Sequence, residues 1–378
     1  MFIAEIRRAR FLRPLPLSRS ASFHTSAKVT MATQQKALWL KSKQGSFEVG
    51  DKDIPKPGPG EILVKIHATA LNPVDWKIQA SGRFYDKYPA VLGLDSAGTV
   101  EEVGEGVSIF KQGDRVIHEG NFNNDMATFQ QYTLIPAEIA SRLPENISFD
   151  EGASIPAALT TAAVGLYNDK EGALGLGLEY PWLPEGRHKY SNKPFFVLGG
   201  SSSVGQFAIQ FARLSGFSPI ITVASPVHTP FLVSLGASDV IDRSLPAADI
   251  VAAVARIAGG PVETVFDAIA TPETQQLAHD VTTPTGSIVL TLPRSVADKE
   301  GSSLRVVSVF GSAFPATARK MGVSLYAHLP ALLSEGLIKP NRVKVLPDGL
   351  RGIVPGLEWL KAGKVSGQKL VARPQETA

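Results

Sequence analysis

The sequence predicts an α/β chain of two domains, a compact mostly-β region followed by a doubly wound parallel sheet. Three observations carry this. Up to about residue 155, short strand-like pieces alternate with clusters of Pro and Gly. Beyond it, apolar runs of the kind that parallel strands use alternate with helical stretches. The first of those runs opens into a Gly-rich turn and an amphipathic helix, as a nucleotide-binding βαβ unit requires. The 378 residues, 44% hydrophobic and 19% charged, suffice for two cores and exclude a disordered or fibrous chain.

In chain order, residues 36–40, 61–68, 98–103 and 114–118 read as strands. Turns fall at Pro55, Pro57, Gly58, Pro59 and Gly60 and at Gly104 and Gly106. Residues 168–194 hold many Gly, further Pro and little periodicity, and read as a surface loop inserted before the first parallel strand. Residues 195–198 form a short, fully apolar strand. It leads into Gly199, Gly200, Ser201, Ser202, Ser203, Val204 and Gly205, then a helix over 206–214 closed by Gly216. Residues 220–224 are the next strand and a helix runs through Leu235, with strands at 240–242, 264–268 and 287–290 after it. The small-residue stretch 153–166 is broken by Pro156, Thr160 and Thr161, and no membrane span is expected.

The formal charge of +3 is unevenly placed. Residues 1–30 carry Arg7, Arg8, Arg10, Arg13, Arg19 and Lys28 against Glu5 alone, which leaves 32 basic and 34 acidic residues in the rest. The body is therefore no polyanion binder, and no nucleic-acid partner is expected. An Arg- and Ser-rich leader nearly free of carboxylates fits a mitochondrial presequence. The alternative is an unstructured extension before a start at Met31, giving a cytoplasmic form. The absence of Cys excludes disulfides, thiolate catalysis and sulfur-based zinc sites.

The strongest chemical signal is the turn at 199–205. A dinucleotide pyrophosphate needs backbone N–H groups at a helix N-terminus with no bulky side chain in the way. Gly200 and Gly205 meet that need, and Ser201, Ser202 and Ser203, followed by Val204, add hydroxyls for phosphate oxygens. A carboxylate after the second strand would select NAD by bonding the ribose 2′-OH and repelling a 2′-phosphate. No Asp or Glu occurs from residue 193 to residue 238. Ser225 and His228 instead offer donors, and Arg243 can lie along the adenine. NADPH is therefore the expected cofactor. For His228 a solvated loop position is the alternative.

Several motifs in order resemble the medium-chain dehydrogenase/reductases, in particular the fungal trans-acting enoyl reductases and quinone-oxidoreductase-like proteins. They are Asn72 to Lys77, Pro89 through Val116 with Gly93, Leu94, Asp95, Ser96, Ala97 and Gly98 inside it, the turn at 199–205, and Gly363 to Val371. The leader over 1–30 is expected to be disordered, and the resemblance implies a GroES-like domain over 31–155, completed by 335–378. A Rossmann domain would occupy 156–334, with its insertion at 168–194. Zinc-dependent members carry Cys where Asn72 stands and a His-Glu pair where Leu94 and Asp95 stand, so the resemblance implies no metal site and disfavours alcohol oxidation.

What remains is hydride transfer to an activated C=C bond, which requires orientation and an enolate-stabilising donor rather than a nucleophile. By resemblance Val74, Asp75, Trp76 and Lys77 contact the cofactor, with Lys77 at the nicotinamide ribose; the alternative for Lys77 is an exposed lysine after a buried Trp. Asp267, Leu290, Val365 and Ser366 would flank the nicotinamide, Asp267 alternatively capping a turn. Ile155, Pro156, Ala157, Ala158, Leu159, Thr160, Thr161 and Ala162 would line the substrate cleft. Thr161, or Thr160 if the register shifts by one, would approach the reacting groups or instead back-bond the helix. Tyr85 and Tyr88 are candidate proton donors, with solvent as the alternative, while His67 and His118 are read as structural. The expected substrate is an enoyl thioester or enone, with a quinone next. A non-catalytic nucleotide-binding protein, crystallin-like or RNA-associated, is the reading from another class. The chain is expected to be a monomer or a homodimer.

Overall fold

The computed structural model describes residues 33–169, 174–297 and 300–378, so the leader lies outside the described residues. Six parallel strands make one sheet in the spatial order Asp239–Asp242, Ile220–Ala224, Phe195–Leu198, Val262–Asp267, Thr282–Leu290 and Arg305–Ser308. In chain order this is third, second, first, fourth, fifth, sixth, the doubly wound arrangement, with its switch point between Phe195–Leu198 and Val262–Asp267. Phe195–Leu198 shows why the run is apolar throughout. Side chains alternate between faces, so Phe195 and Val197 enter one core and Phe196 and Leu198 the other.

The helices Pro156–Tyr167, Ser203–Ser215 and Ala316–Ser334 supply the first core, while Ala247–Ala258 and Pro272–Val281 supply the second. Ser203–Ser215 begins three residues before the expected start because the Ser202 hydroxyl accepts from Gly205 N at 3.0 Å and caps it. Gly216 closes that helix at φ +88°.

The second architecture is a seven-stranded sheet ordered Val343–Val345, Lys369–Ala372, Glu61–Ala70, Asp95–Val103, Arg115–Glu119 and Ala140–Arg142, with Tyr132–Pro136 also paired to Glu61–Ala70. Beside it Phe47–Asp53, Gln34–Leu40 and Ala90–Val91 form a three-stranded sheet. The C-terminal strand therefore returns to pair antiparallel with Glu61–Ala70. Among the described residues no helix is long and apolar enough to cross a membrane.

The expectation of a surface loop over 168–194 needs correction. In its described part Leu176 and Trp182 are buried, and the Trp182 ring stands edge-on to Tyr167 at 5.2 Å and donates Nε1–H to Ser324 Oγ at 3.0 Å. The described part packs over helices Pro156–Tyr167 and Ala316–Ser334, anchored by the buried Trp182 ring.

Candidate cofactor and active site

The Gly-rich turn is built so that only glycine fits. A Cβ on Gly200 would lie 2.1 Å from Thr222 Oγ1, and one on Gly205 would lie 2.3 Å from Gly199 O. The helix thus starts flush against the strand, with its free N–H groups facing outward at the switch point. Ser201, Ser203 and Val204 are half-buried there, while the oxygen of Ser202 is engaged in the cap.

At the end of the second strand the structure differs from both readings of His228, which is buried rather than solvated. Its Nε2 lies 2.8 Å from Ser366 Oγ and its Nδ1 lies 3.1 Å from an Arg342 terminal nitrogen. Arg342 also donates Nε–H to Gly367 O at 3.1 Å and lies over the Phe231 ring at 4.1 Å. Burial, then the charges of Arg342 and Arg243, lower the His228 pKa. The ring is therefore neutral, accepting from Arg342 and donating to Ser366, and its proton is committed. Ser225 is half-buried and Arg243 is exposed beside this cluster. Arg342 went unseen in the sequence because it lies more than a hundred positions from the strand it joins.

Two further expectations are revised. Asp267 Oδ1 accepts from Ile269 N at 3.0 Å and Ala270 N at 2.8 Å, the turn-capping alternative. The Leu290 side chain is fully buried in the core behind the sheet, so only its backbone reaches the strand end. Val365 is half-buried and Ser366 is exposed apart from its contact with His228.

The helix Pro73–Ser81 carries Lys77, and Gly82 ends it at φ +67°. Val74, Trp76 and Lys77 are half-buried, the Lys77 ammonium standing 5.8 Å from the Trp76 ring centre with its pKa lowered by burial. Asp75 turns inward instead of toward a cofactor. Its Oδ2 accepts from Asn72 N at 2.7 Å, and burial pushes its pKa up to about 7.

Beneath this helix lies a buried polar knot. Lys369, 3% exposed, places Nζ 2.9 Å from Asp95 Oδ2 and donates to Asn72 Oδ1 at 2.6 Å, while Asp95 is fully buried. Asn72 Nδ2 donates to Asp95 Oδ2 at 2.7 Å, and Ala157 N donates to Asp95 Oδ1 at 2.7 Å. One carboxylate thereby ties together the start of the Lys77 helix, the start of Pro156–Tyr167 and the C-terminal strand. The role of Lys369 was not visible in the sequence, since the contact closes across nearly the whole chain.

Of the eight residues expected to line the cleft, Ile155, Pro156, Ala157, Ala158, Leu159, Thr160 and Ala162 are buried, and Thr161 alone is half-buried. The stretch is mostly helix interior, because it is packed between the two sheets. Thr161 donates to Ala157 O at 2.6 Å, the back-bonding alternative. A Cβ on Gly311 would fall 2.1 Å from Thr161 Oγ1, so the chain at 310–312 passes directly over it. Thr160 points inward, its hydroxyl 3.2 Å from that of Tyr326. Tyr85 donates to Val91 O at 2.8 Å, and Tyr88 is half-buried.

His67 lies 3.1 Å from Thr99 Oγ1 and stacks on Phe149, a structural role. His118 is fully buried, with burial lowering its pKa to about 4. Its neighbour Glu119, unflagged by any motif, is buried as well. Oε2 accepts from Ala313 N at 3.0 Å, and burial pushes the pKa up to about 8. The folded protein therefore holds this proton more tightly than the unfolded chain. Relative stability from the group is full below its ordinary pKa of 4.5 and is lost as pH rises through about 8. Glu119→Gln, which mimics the protonated acid, should gain several degrees of melting temperature over wild type at about pH 9 and little at about pH 5. Thermal unfolding at both pH values measures this, and equal differences at the two would refute it.

Comparisons with known proteins agree with this architecture. Residues 58–145 match the family described as the alcohol dehydrogenase GroES-like domain, and residues 203–316 match that described as zinc-binding dehydrogenase. A trans-enoyl reductase of Aspergillus sclerotiorum is 32% identical, over 86% of this chain and 96% of its own. One of Aspergillus japonicus is also 32% identical, over 89% and 96%. Among solved structures, the quinone oxidoreductase of Coxiella burnetii superposes with a TM-score of 0.66 at 24% identity, covering 89% of this chain and 98% of that one. Benzyl alcohol dehydrogenase of Acinetobacter calcoaceticus reaches 0.69 at 19%, covering 90% and 99%. The chain belongs to the medium-chain dehydrogenase/reductase superfamily of oxidoreductases, among the relatives of the fungal trans-enoyl reductases.

Proposed function

We propose that this protein reduces the activated C=C bond of a 2-enoyl thioester or enone with NADPH and without zinc. The observation that carries the reading is the Asn72, Asp95 and Lys369 knot beside an intact pyrophosphate turn. A lysine ammonium at 2.9 Å already neutralises the one carboxylate at the positions where zinc-dependent relatives bear ligands. Neither an amide nor a leucine at positions 72 and 94 replaces a thiolate or imidazole, so the donor set does not fit zinc.

The nucleotide fits better. The turn at 199–205 receives the pyrophosphate at a helix N-terminus. The absence of Asp and Glu from 193 to 238, with Arg342 and Arg243 near the end of the second strand, favours a 2′-phosphate over a bare ribose. When bound, NADPH supplies the hydride. The chain's own residues then orient and screen. Lys77 would hold the nicotinamide ribose through its ammonium, and Thr161, covered by Gly311, would lie beside the reacting groups. The Thr161 proton is held by Ala157 O and the Tyr85 proton by Val91 O, which leaves the Tyr88 hydroxyl or solvent to deliver the proton to the α carbon.

NADPH and NADH consumption by the full chain, against crotonyl-pantetheine, simple enones and quinones, tests the proposal. Turnover of the enoyl substrate with NADPH at least about tenfold better than NADH is expected, since a charge-assisted phosphate contact contributes about 1.5–3 kcal/mol. Turnover of quinones alone, or indifference to the nucleotide, would overturn it.

A further inference from the structure

Two phenylalanines that a folded chain has every reason to bury stand in the open near the ends of the segments that carry Lys77 and cover Thr161. Phe84 is 56% exposed and Phe310 is 52% exposed. Phe84 lies two residues past Gly82, the end of the Lys77 helix, and Phe310 directly precedes Gly311, which presses on Thr161. Between them stands Phe122, stacked on Phe84 with centroids 5.0 Å apart and planes 14° apart, and 6.3 Å from Phe310 at a tilt of 49°. Phe122 follows Gly120, where a Cβ would fall 2.5 Å from Gly93 O, so its loop crosses the Gly93, Leu94 and Asp95 segment. Three rings from separate parts of the chain thus converge beside the groups assigned to the reaction.

The backbone holds Phe84 there at a cost. Its φ is +73°, a left-handed conformation that bulky residues avoid and that persists where surrounding structure imposes it. The stack on Phe122 is what retains the ring. Both Phe84 and Phe310 remain more than half exposed, so a flat π-system can stack against them.

We infer that Phe84, Phe122 and Phe310 form a recognition subsite for a planar conjugated group, aryl or polyene, attached beyond the β carbon of the substrate. This rests on the enoyl-reductase reading and specifies its substrate class. Ring faces discriminate through stacking, which a saturated chain of equal size does not offer, so the subsite selects conjugation rather than bulk alone.

The matched probes are cinnamoyl-pantetheine and its ring-saturated analogue, 3-cyclohexylacryloyl-pantetheine, titrated calorimetrically onto the full-length protein loaded with NADP⁺. The cinnamoyl probe is expected to bind about tenfold tighter to wild type. In Phe84→Gly, which relieves the left-handed backbone, and in Phe310→Leu, the ratio should fall toward one. Crotonyl-pantetheine, which carries no such group, should keep its KM in both variants and so report that they are folded. Equal affinities in wild type, or a ratio unmoved by both variants, would overturn the subsite. Aryl-selective binding without turnover of any enoyl substrate would instead leave the subsite standing and defeat the reductase reading.

Discussion

Lys369→Met should lower the free energy of unfolding by about 3–5 kcal/mol, the penalty for leaving a buried charge without its partner. Methionine nearly preserves the volume of the aliphatic stem but removes the ammonium that stands 2.9 Å from Asp95 Oδ2. Asp95 keeps the N–H of Ala157 and the amide of Asn72, and neither carries charge. Adding Asp95→Asn to the same chain removes the orphaned charge and should recover more than half of the loss. Urea unfolding of wild type, single and double variants reads both effects. A single variant as stable as wild type, or a double variant worse than the single, would contradict the role given to this pair.

Gly205→Ala should weaken NADPH binding with comparatively little change in fold. The added methyl would sit 2.3 Å from Gly199 O and 2.9 Å from Gly200 Cα, both backbone atoms that cannot rotate aside. The helix start must move away from the strand, and the row of N–H groups leaves its place. Overpacking by one methyl costs about 1–3 kcal/mol. If it falls on the binding geometry, it corresponds to about 5- to 150-fold in affinity. Fluorescence titration with NADPH measures the loss, with circular dichroism confirming the fold. Wild-type affinity would show that the turn does not hold the pyrophosphate.

These two sites mark the difference between what is local in the chain and what is not. The turn was readable because its strand, glycines and helix are contiguous, and the strand Ile220–Ala224 lies where expected because its apolar run is unbroken. Phe47–Asp53 escaped notice because a half-buried strand with Glu48, Asp51, Lys52 and Asp53 lacks clear alternation. Ala316–Ser334 was hidden by Gly322 and Pro330 within it.

At the candidate site, Lys77 and the serine turn belong to contiguous motifs that the sequence displays. Lys369, Arg342 and Glu119 belong to no such motif, because each bonds a partner distant in sequence. The capping of Asp267 and the back-bond of Thr161 are alternatives that the sequence leaves open. Only the geometry decides between such uses of a short polar side chain, since both draw on the same atoms.

Reduction of an electron-poor double bond by NADPH at a site whose internal cation is a lysine should require no bound metal. Steady-state turnover of crotonyl-pantetheine before and after exhaustive chelation, with metal content measured on the same samples, tests it most directly. Unchanged kcat/KM in metal-free protein is the predicted result. Activity lost with the metal and restored by added zinc would contradict it.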